Sequence, residues 1–323
     1  MGGLAMIHHR PLRVGSRGSP LALIQDEEAL SQLRAHHPGL DFEIVVVRTS
    51  GDANQTAPLA GMGLGVFVSE IEARLLSGDL DMAVHSLKDL PTRLPDGLTL
   101  GAILERRDPR DVLVNRWNCR LSDLPKGARI GTSSPRRAAQ LRRYVPGVDV
   151  VPLRGNVETR LRKSAGGEAD GAMLAAAGLA RLGMEDRVAD YLSPQRFVPP
   201  PGQGALAVEV REDDRRMLEL LECIEHPATR FEVTAERAFL ETLGGGCSLP
   251  VGAYARAMGH ELLMTVYLSN HEGTRVFSAK VDGLKHDPKQ LAGDAYLAVA
   301  ERGGADLLEG ARQPQGPPAT ENL

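Results

Sequence analysis

The chain has 323 residues, 42% hydrophobic and 25% charged, with 38 Lys and Arg against 42 Asp and Glu for a formal net charge of -4 at pH 7. That is enough apolar material for two or three packed cores, and the slight acidity gives no reason to expect a nucleic-acid or membrane partner. The three cysteines, Cys119, Cys223 and Cys247, are too sparse for a disulfide framework or a structural zinc site, and no run suits a signal peptide or a bilayer span, so a reducing cytoplasm is the expected compartment.

In chain order the pattern predicts a strand over 12–16 and a helix over 20–34. A β-branched run over 42–48 reads as a buried strand, and a helix over 66–76 and a strand over 80–84 follow. Such alternation implies α/β layers. The pattern then restarts with a strand over 130–132, a helix to 143, a strand over 148–153, a helix over 156–164, a strand over 169–174 and a helix to 182. Val14-Gly15-Ser16-Arg17-Gly18-Ser19-Pro20 is matched by Ile130-Gly131-Thr132-Ser133-Ser134-Pro135, and Gly78-Asp79-Leu80-Asp81-Met82-Ala83 by Gly167-Glu168-Ala169-Asp170-Gly171-Ala172. Two matches in the same order point to related halves.

Pro199-Pro200-Pro201-Gly202 interrupts the pattern, and 205–210 alternates like a strand that returns to an earlier sheet. Beyond 230 come a helix to 242 and strands over 251–254, 262–268 and 276–281. A helix capped by Asp287, with Pro288 at its first position, runs to about 301 and completes a small α+β domain. The tail 311–323, rich in Pro, Gln and Gly, is expected to be disordered.

Ser19 and Ser134 stand where N-caps belong, with Pro20 and Pro135 at the first helical positions, so each turn offers free N–H groups to an anion. Arg17 lies in the first turn, and Arg136 and Arg137 open the helix after the second. Cations there oppose the helix macrodipole and need a compensating anion, which a polyanionic ligand would supply. Arg154 ends a strand beside Gly155, Arg160 shares a helical face with Asn156, and Arg181 follows further on. A guanidinium grips a carboxylate bidentately, so the set implies a site for several carboxylates.

His85-Ser86-Leu87-Lys88-Asp89 follows a strand, where open α/β sheets bind ligands. Asp89 is thus a candidate catalytic carboxylate, and His85 a packed or hydrogen-bonded histidine. Gly244-Gly245-Gly246-Cys247 leaves its cysteine open to a bulky adduct, and with no partnered histidine in a motif it reads as an attachment point rather than a hydrolytic nucleophile. No dinucleotide or Walker A loop is present, and no metal site is expected. A carboxylate-binding receptor would share the anion site without needing Cys247 or Asp89, and would need a signal peptide. A ligand-sensing regulator would need a helix-turn-helix, for which the roughly ten residues before Leu12 leave no room.

Together these segments resemble the porphobilinogen deaminase family. The stretches are Gly15-Ser16-Arg17-Gly18-Ser19-Pro20-Leu21-Ala22, His85-Ser86-Leu87-Lys88-Asp89, Arg107-Asp108-Pro109-Arg110-Asp111, Gly131-Thr132-Ser133-Ser134-Pro135-Arg136-Arg137, Leu153-Arg154-Gly155-Asn156-Val157, Pro201-Gly202-Gln203-Gly204-Ala205 and Glu236-Arg237-Ala238-Phe239-Leu240 leading to Gly245-Gly246-Cys247. The resemblance implies an α/β fold of two periplasmic-binding-protein-like (type II) domains, 11–104 with 203–222 and 105–202, and a small C-terminal α+β domain, 227–310, that carries the cofactor cysteine. It implies a transferase that joins four porphobilinogen molecules into hydroxymethylbilane, for haem and other tetrapyrroles, on a dipyrromethane held by a thioether to Cys247.

On the same resemblance Asp89 is catalytic, stabilising the cationic azafulvene left when ammonia departs. Lys88, Thr132, Ser134, Arg136, Arg137, Arg154 and Gly155 are expected to hold the cofactor, and Arg17, Ser19, Gln25, Phe67, Arg160 and Arg181 the substrate, whose pyrroles each carry an acetate and a propionate. The enzyme is expected to be a monomer without nucleic-acid or membrane partners. One departure stands out: Leu64 and Ser69 occupy positions where the family commonly has lysine, which implies weaker binding of late intermediates.

Overall fold

The computed structural model describes residues 10–47, 68–244 and 249–312. Of the tail expected over 311–323, Ala311 and Arg312 close the last helix, while 313–323, like Leu64, lie outside the described residues.

Two five-stranded sheets and one three-stranded sheet organise the chain. The first sheet is built from β1 (Leu12–Ser16), β2 (Phe42–Val46), β3 (Met82–Ser86), β4 (Leu98–Ile103) and β10 (Leu206–Arg211), in the order β2-β1-β3-β10-β4. The second is built from β5 (Asp111–Asn115), β6 (Arg129–Gly131), β7 (Asp149–Val151), β8 (Gly171–Ala175) and β9 (Asp190–Tyr191), in the order β7-β6-β8-β5-β9. In each, three strands run parallel and one strand, β10 or β5, pairs antiparallel on both sides. The two sheets therefore share one plan, as two related α/β domains require.

Helices α1 (Pro20–His36), α2 (Ser69–Leu76), α3 (Pro135–Tyr144), α4 (Val157–Ala165), α5 (Ala176–Arg181) and α6 (Arg215–Leu221) accompany these sheets. Leu30 and Leu33 of α1 pack with Leu12, Val14, Met82, Val208 and Leu221 in the first core. The third unit holds α7 (Pro227–Thr242), β11 (Val251–Met258), β12 (Glu261–Ser269), β13 (Val276–Leu284), α8 (Pro288–Val299) and α9 (Ala305–Arg312), its core built on Phe239, Leu262, Val266 and Leu291. Among the described residues no helix is long and apolar enough to cross a membrane.

The expected kinship of the halves is visible atom by atom. The Asp81 carboxylate accepts from the Arg13 backbone N–H at 2.8 Å, and Asp170 accepts from that of Arg129 at 2.9 Å. The Arg13 guanidinium donates to the Gly78 carbonyl and that of Arg129 to the Gly167 carbonyl. Gly78 and Gly167 both take a left-handed backbone, with φ of 76° and 87°, where α2 and α4 end. Only glycine adopts that turn without strain.

One expectation fails. The β-branched run of β2 is an edge strand: Ile44 is 37% and Val46 54% exposed. Such a run has the same composition at an edge as at a sheet centre, and only long-range strand order decides which. Strands β4 and β5 had no counterpart in the sequence pattern.

The chain crosses between the sheets twice, before β5 and before β10, and one buried ion pair holds both crossings. Glu236 of α7 accepts from Arg106 at 2.7 and 3.2 Å, from the Gly202 N–H at 2.7 Å and from the Ala255 N–H of β11 at 2.8 Å. Both crossings and the third sheet meet on that one carboxylate, and its hydrogen bonds offset the cost of burying it.

A second buried group of acids lies behind β3. His85 Nε2 is 3.0 Å from Glu209 of β10. Burial, together with the Glu209 charge, pushes the nearby Glu72 carboxyl up to about 7. Asp26 of α1 is wholly buried, and burial pushes its carboxyl up to about 6 against the opposing pull of the Ser16 hydroxyl and of His85. A raised carboxyl binds more protons folded than unfolded, so stability falls as pH climbs from the unfolded value near 4 to about 6. Asp26→Asn should remove the Asp26 share of that slope and leave that of Glu72. At pH 8 urea denaturation should find the variant more stable than the wild type by about 3 kcal/mol, and at pH 4 no more stable.

Candidate active site

The loop after β3 is the focus. Ser86, Leu87, Lys88 and Asp89 leave the strand in a single 3-10 turn, which sets Lys88 and Asp89 at its carboxyl end. The Lys88 ammonium donates to Gln203 Oε1 at 3.2 Å. The Gln203 amide N–H₂ in turn donates to the Pro109 carbonyl at 2.8 Å and to Asp111 Oδ1 at 3.1 Å. Lys88 of the first sheet is thereby tied to the first residue of β5 in the second.

Asp111 is fully buried and takes both arginines of α3. Arg137 donates from Nε and Nη2 to Oδ1 at 2.9 and 2.6 Å, and Arg136 Nη1 lies 2.7 Å from Oδ2. Each also donates to a main-chain carbonyl, Arg136 Nη1 to that of Val198 at 2.7 Å and Arg137 Nη1 to that of Met173 at 3.0 Å. Burial works against the Asp111 charge, but the two guanidiniums and Gln203 overcome it and hold the carboxyl far below the usual carboxylate range. The anion that Arg136 and Arg137 require at a helix N-terminus thus comes from the protein itself. At 5% and 6% exposure these arginines act on a ligand chiefly through their net charge.

Arg160 of α4 donates to the Gly155 carbonyl at 2.7 Å. Burial, with the Arg137 charge, pushes its guanidinium down to about 10, while Asp89 opposes the shift. Withdrawal from water likewise pushes Lys88 down to about 8; Asp89 and Asp111 raise it, and Arg137 and Arg160 lower it further. Lys88, Asp89, Asp111, Arg137 and Arg160 therefore share one electrostatic neighbourhood at the junction of the two sheets. Gly155, with φ of 115°, would press a Cβ against Thr159, so the glycine serves the turn into α4.

The other expected residues fall around this centre. Ser19 and Ser134 are the N-caps of α1 and α3, accepting from the Ala22 and Arg137 N–H groups, and Thr132 Oγ1 accepts from the Ser134 N–H at 3.1 Å. Gln25 is buried and donates to Ser86 Oγ at 2.8 Å, which fastens α1 to the start of the Lys88 turn. Arg17 and Arg154 lie half-buried at the ends of their strands. Arg181 sits apart from the cluster: its Nε donates to Glu28 of α1 at 2.8 Å, and Arg107 donates to the same carboxylate at 2.9 Å. Phe67 and Cys247 lie outside the described residues. Sequence reasoning assigns no role to Asp111, Gln203 or Glu28, although the first two stand inside Arg107-Asp108-Pro109-Arg110-Asp111 and Pro201-Gly202-Gln203-Gly204-Ala205. Among the described residues no cluster of His, Cys, Asp and Glu suits a metal ion.

Comparison with known proteins identifies the family. A family model described as porphobilinogen deaminase, dipyromethane cofactor binding domain, matches residues 12–219, and one described as porphobilinogen deaminase, C-terminal domain, matches 230–299. The porphobilinogen deaminase of Syntrophobacter fumaroxidans is 44% identical over 301 residues, covering 93% of this chain and 97% of the relative. That of Syntrophus aciditrophicus is 42% identical over 299 residues, covering 92% and 98%. A solved nutrient binding protein from Burkholderia cenocepacia, bound to methionine, is 14% identical with a TM-score of 0.41 over 68% of this chain and 93% of its own.

Asp111→Asn should leave two buried guanidiniums without their counter-ion. The expected loss is about 3–5 kcal/mol, measured by urea denaturation at pH 7. An unchanged midpoint would mean that the arginines do not depend on Asp111.

Proposed function

The chain belongs to the porphobilinogen deaminase family, and from that premise we propose how its own residues divide the work of joining four porphobilinogen molecules into hydroxymethylbilane. The observation that carries the proposal is the carboxylate Asp89 set among Lys88, Arg137 and Arg160 where the two sheets meet, the other carboxylate there, Asp111, being taken by arginines. A cationic site with one catalytic carboxylate suits a substrate that is itself a dicarboxylate and passes through a cation.

The family's cofactor is a dipyrromethane, and the donor set fits it. Its acetate and propionate groups call for several cations in one neighbourhood, which Lys88, Arg160 and the net charge of the Arg136–Asp111–Arg137 group supply, with Arg154 beside them. Thr132, Ser134 and Gly155 line the same turns. When bound through Cys247, the group supplies the free pyrrole carbon to which each new unit is joined. Asp89 holds its negative charge against the cation created at the substrate methylene as ammonia leaves, and it accepts or returns the pyrrole proton. Lys88 and Arg160 orient carboxylates. Arg17 and Ser19 stand at the turn from β1 into α1 and Gln25 within α1; with Phe67 and Arg181 they are assigned to the incoming substrate.

The domain division at 11–104 with 203–222, 105–202 and 227–310 is part of the same proposal; the two crossings at Arg106 and Gly202 support it. So are a monomeric state, which follows from the family, and a cytoplasmic location, supported by the sparse cysteines.

Two measurements test the reading. Intact-protein mass under denaturing conditions should show an excess equal to two porphobilinogen units less two ammonia in the wild type and none in Cys247→Ser. An unmodified wild type that stays unmodified with porphobilinogen would remove the attachment site. Lys88, held at about 8, should lose its charge within the working range. The kcat/KM profile should then fall above about pH 8, mainly through KM, and Lys88→Arg, which stays charged, should keep its KM flat through that limb. A limb that survives in the arginine variant would assign it to another group.

A further inference from the structure

Glu28 stands on α1, and its carboxylate is claimed by two cations from elsewhere in the chain. Arg181, the last residue of α5, donates to it at 2.8 and 3.4 Å, and Arg107, in the first crossing, at 2.9 Å. The Arg181 side chain is only 3% exposed. Burial opposes ionisation of Glu28, yet the two arginines hold its carboxyl below the usual value. α1 belongs to the first sheet's core and α5 follows β8 of the second, so this ion pair fastens the two lobes across their junction. Leu21 of α1 and Gly178 of α5 approach each other on the same contact.

The position relative to the active site is given by the main chain. Arg181 Nη2 and the Arg107 N–H both point to the Gly204 carbonyl, at 3.4 and 3.2 Å. The preceding residue, Gln203, is the one that takes the Lys88 ammonium. Arg181 therefore lies one residue of β-entry loop away from the Lys88–Asp111 network, yet its charge is occupied by a protein carboxylate.

Charge bookkeeping gives this arrangement a purpose. Each added pyrrole brings two carboxylates, and Asp111 already neutralises half of the Arg136–Arg137 pair. The later additions need cations that the first does not. Two guanidiniums on one carboxylate leave a net positive charge at Glu28, and a ligand carboxylate is chemically the same partner as Glu28 itself.

We propose that Glu28 is a positioning residue for chain elongation, an internal carboxylate that holds Arg181 and Arg107 until a carboxylate of the lengthening pyrrole chain takes its place. The proposal rests on the reading that Arg181 meets the growing chain. Replacement at Arg181 releases the α1–α5 fastening, so the lobes loosen as the chain grows, not when the first unit binds.

The test uses the holoenzyme with limiting porphobilinogen in wild type, Glu28→Gln and Glu28→Asp. Denaturing mass reads the populations carrying successive pyrrole units, and amide exchange reads protection along α5. In Glu28→Gln the later species should rise about threefold over wild type, because Arg181 is already released. Exchange in α5 should be about threefold faster before substrate is added. In the wild type the same acceleration should appear only after elongation begins. If Glu28→Gln proves unstable, Glu28→Asp, whose shorter reach weakens the pair, should shift both readouts the same way by less. A variant with wild-type populations, or a wild type whose α5 protection does not change on elongation, overturns the role of Glu28 while leaving the reaction intact. A wild type that adds no pyrrole unit at all overturns the reaction and the proposal together.

Discussion

The Asp111 carboxylate is the constraint on which the site depends. It sits on the first residue of β5, wholly buried, between two arginines that open α3. Two adjacent cations at a helix N-terminus are unfavourable toward the helix dipole and costly to bury. One carboxylate gripped on both oxygens relieves both problems and still leaves net positive charge. Through Gln203 the same carboxylate is linked to Lys88. The electrostatics of the site are therefore built on a group that need never touch a ligand.

A similar economy recurs where the two crossings meet the third sheet. Glu236 gathers Arg106, the Gly202 N–H and the Ala255 N–H onto one carboxylate, so a single side chain joins the first crossing, the second crossing and β11. Its four hydrogen bonds are what make its burial tolerable. The second crossing that it fixes continues directly into Gln203, and so the junction that holds the lobes also sets one wall of the active site.

The sequence was most legible where the physics is local. Ser19, Ser134 and Asp287 are N-caps because the capping bond spans only a few residues, and each accepts a backbone N–H as its position required. The kinship of the halves was legible for the same reason, since Gly78 with Asp81 and Gly167 with Asp170 are compact turn-and-anchor units. What failed was long-range. β2 was misjudged as buried because its neighbours in the sheet are not encoded in its own residues. Strands β4 and β5 escaped notice because their pairing lies with β10 and β8, far along the chain. The need for an anion beside Arg136 and Arg137 could be deduced, but Asp111, upstream on another strand, could not be singled out as its source. Glu28, which shares no motif with Arg181 or Arg107, offered no signal at all.

That pattern of misses points to a general problem for a site that binds a polyanion only part of the time. The cations it needs cannot stand uncompensated in a buried junction when the ligand is absent, because an unpaired buried charge costs several kcal/mol, on the order of 3–5. Carboxylates from the protein can fill the vacancy. Where the carboxylate is locked by two guanidiniums and a glutamine, as at Asp111, it is permanent and the site keeps only the residual charge. Where it is held on a separate helix at the edge of the lobe contact, as proposed for Glu28, exchange for a ligand carboxylate keeps both guanidiniums paired and changes what the two lobes hold between them. The difference between a scaffold charge and a reserve charge is thus set by how many partners the carboxylate has and by whether its own backbone belongs to the same sheet as the arginines it serves.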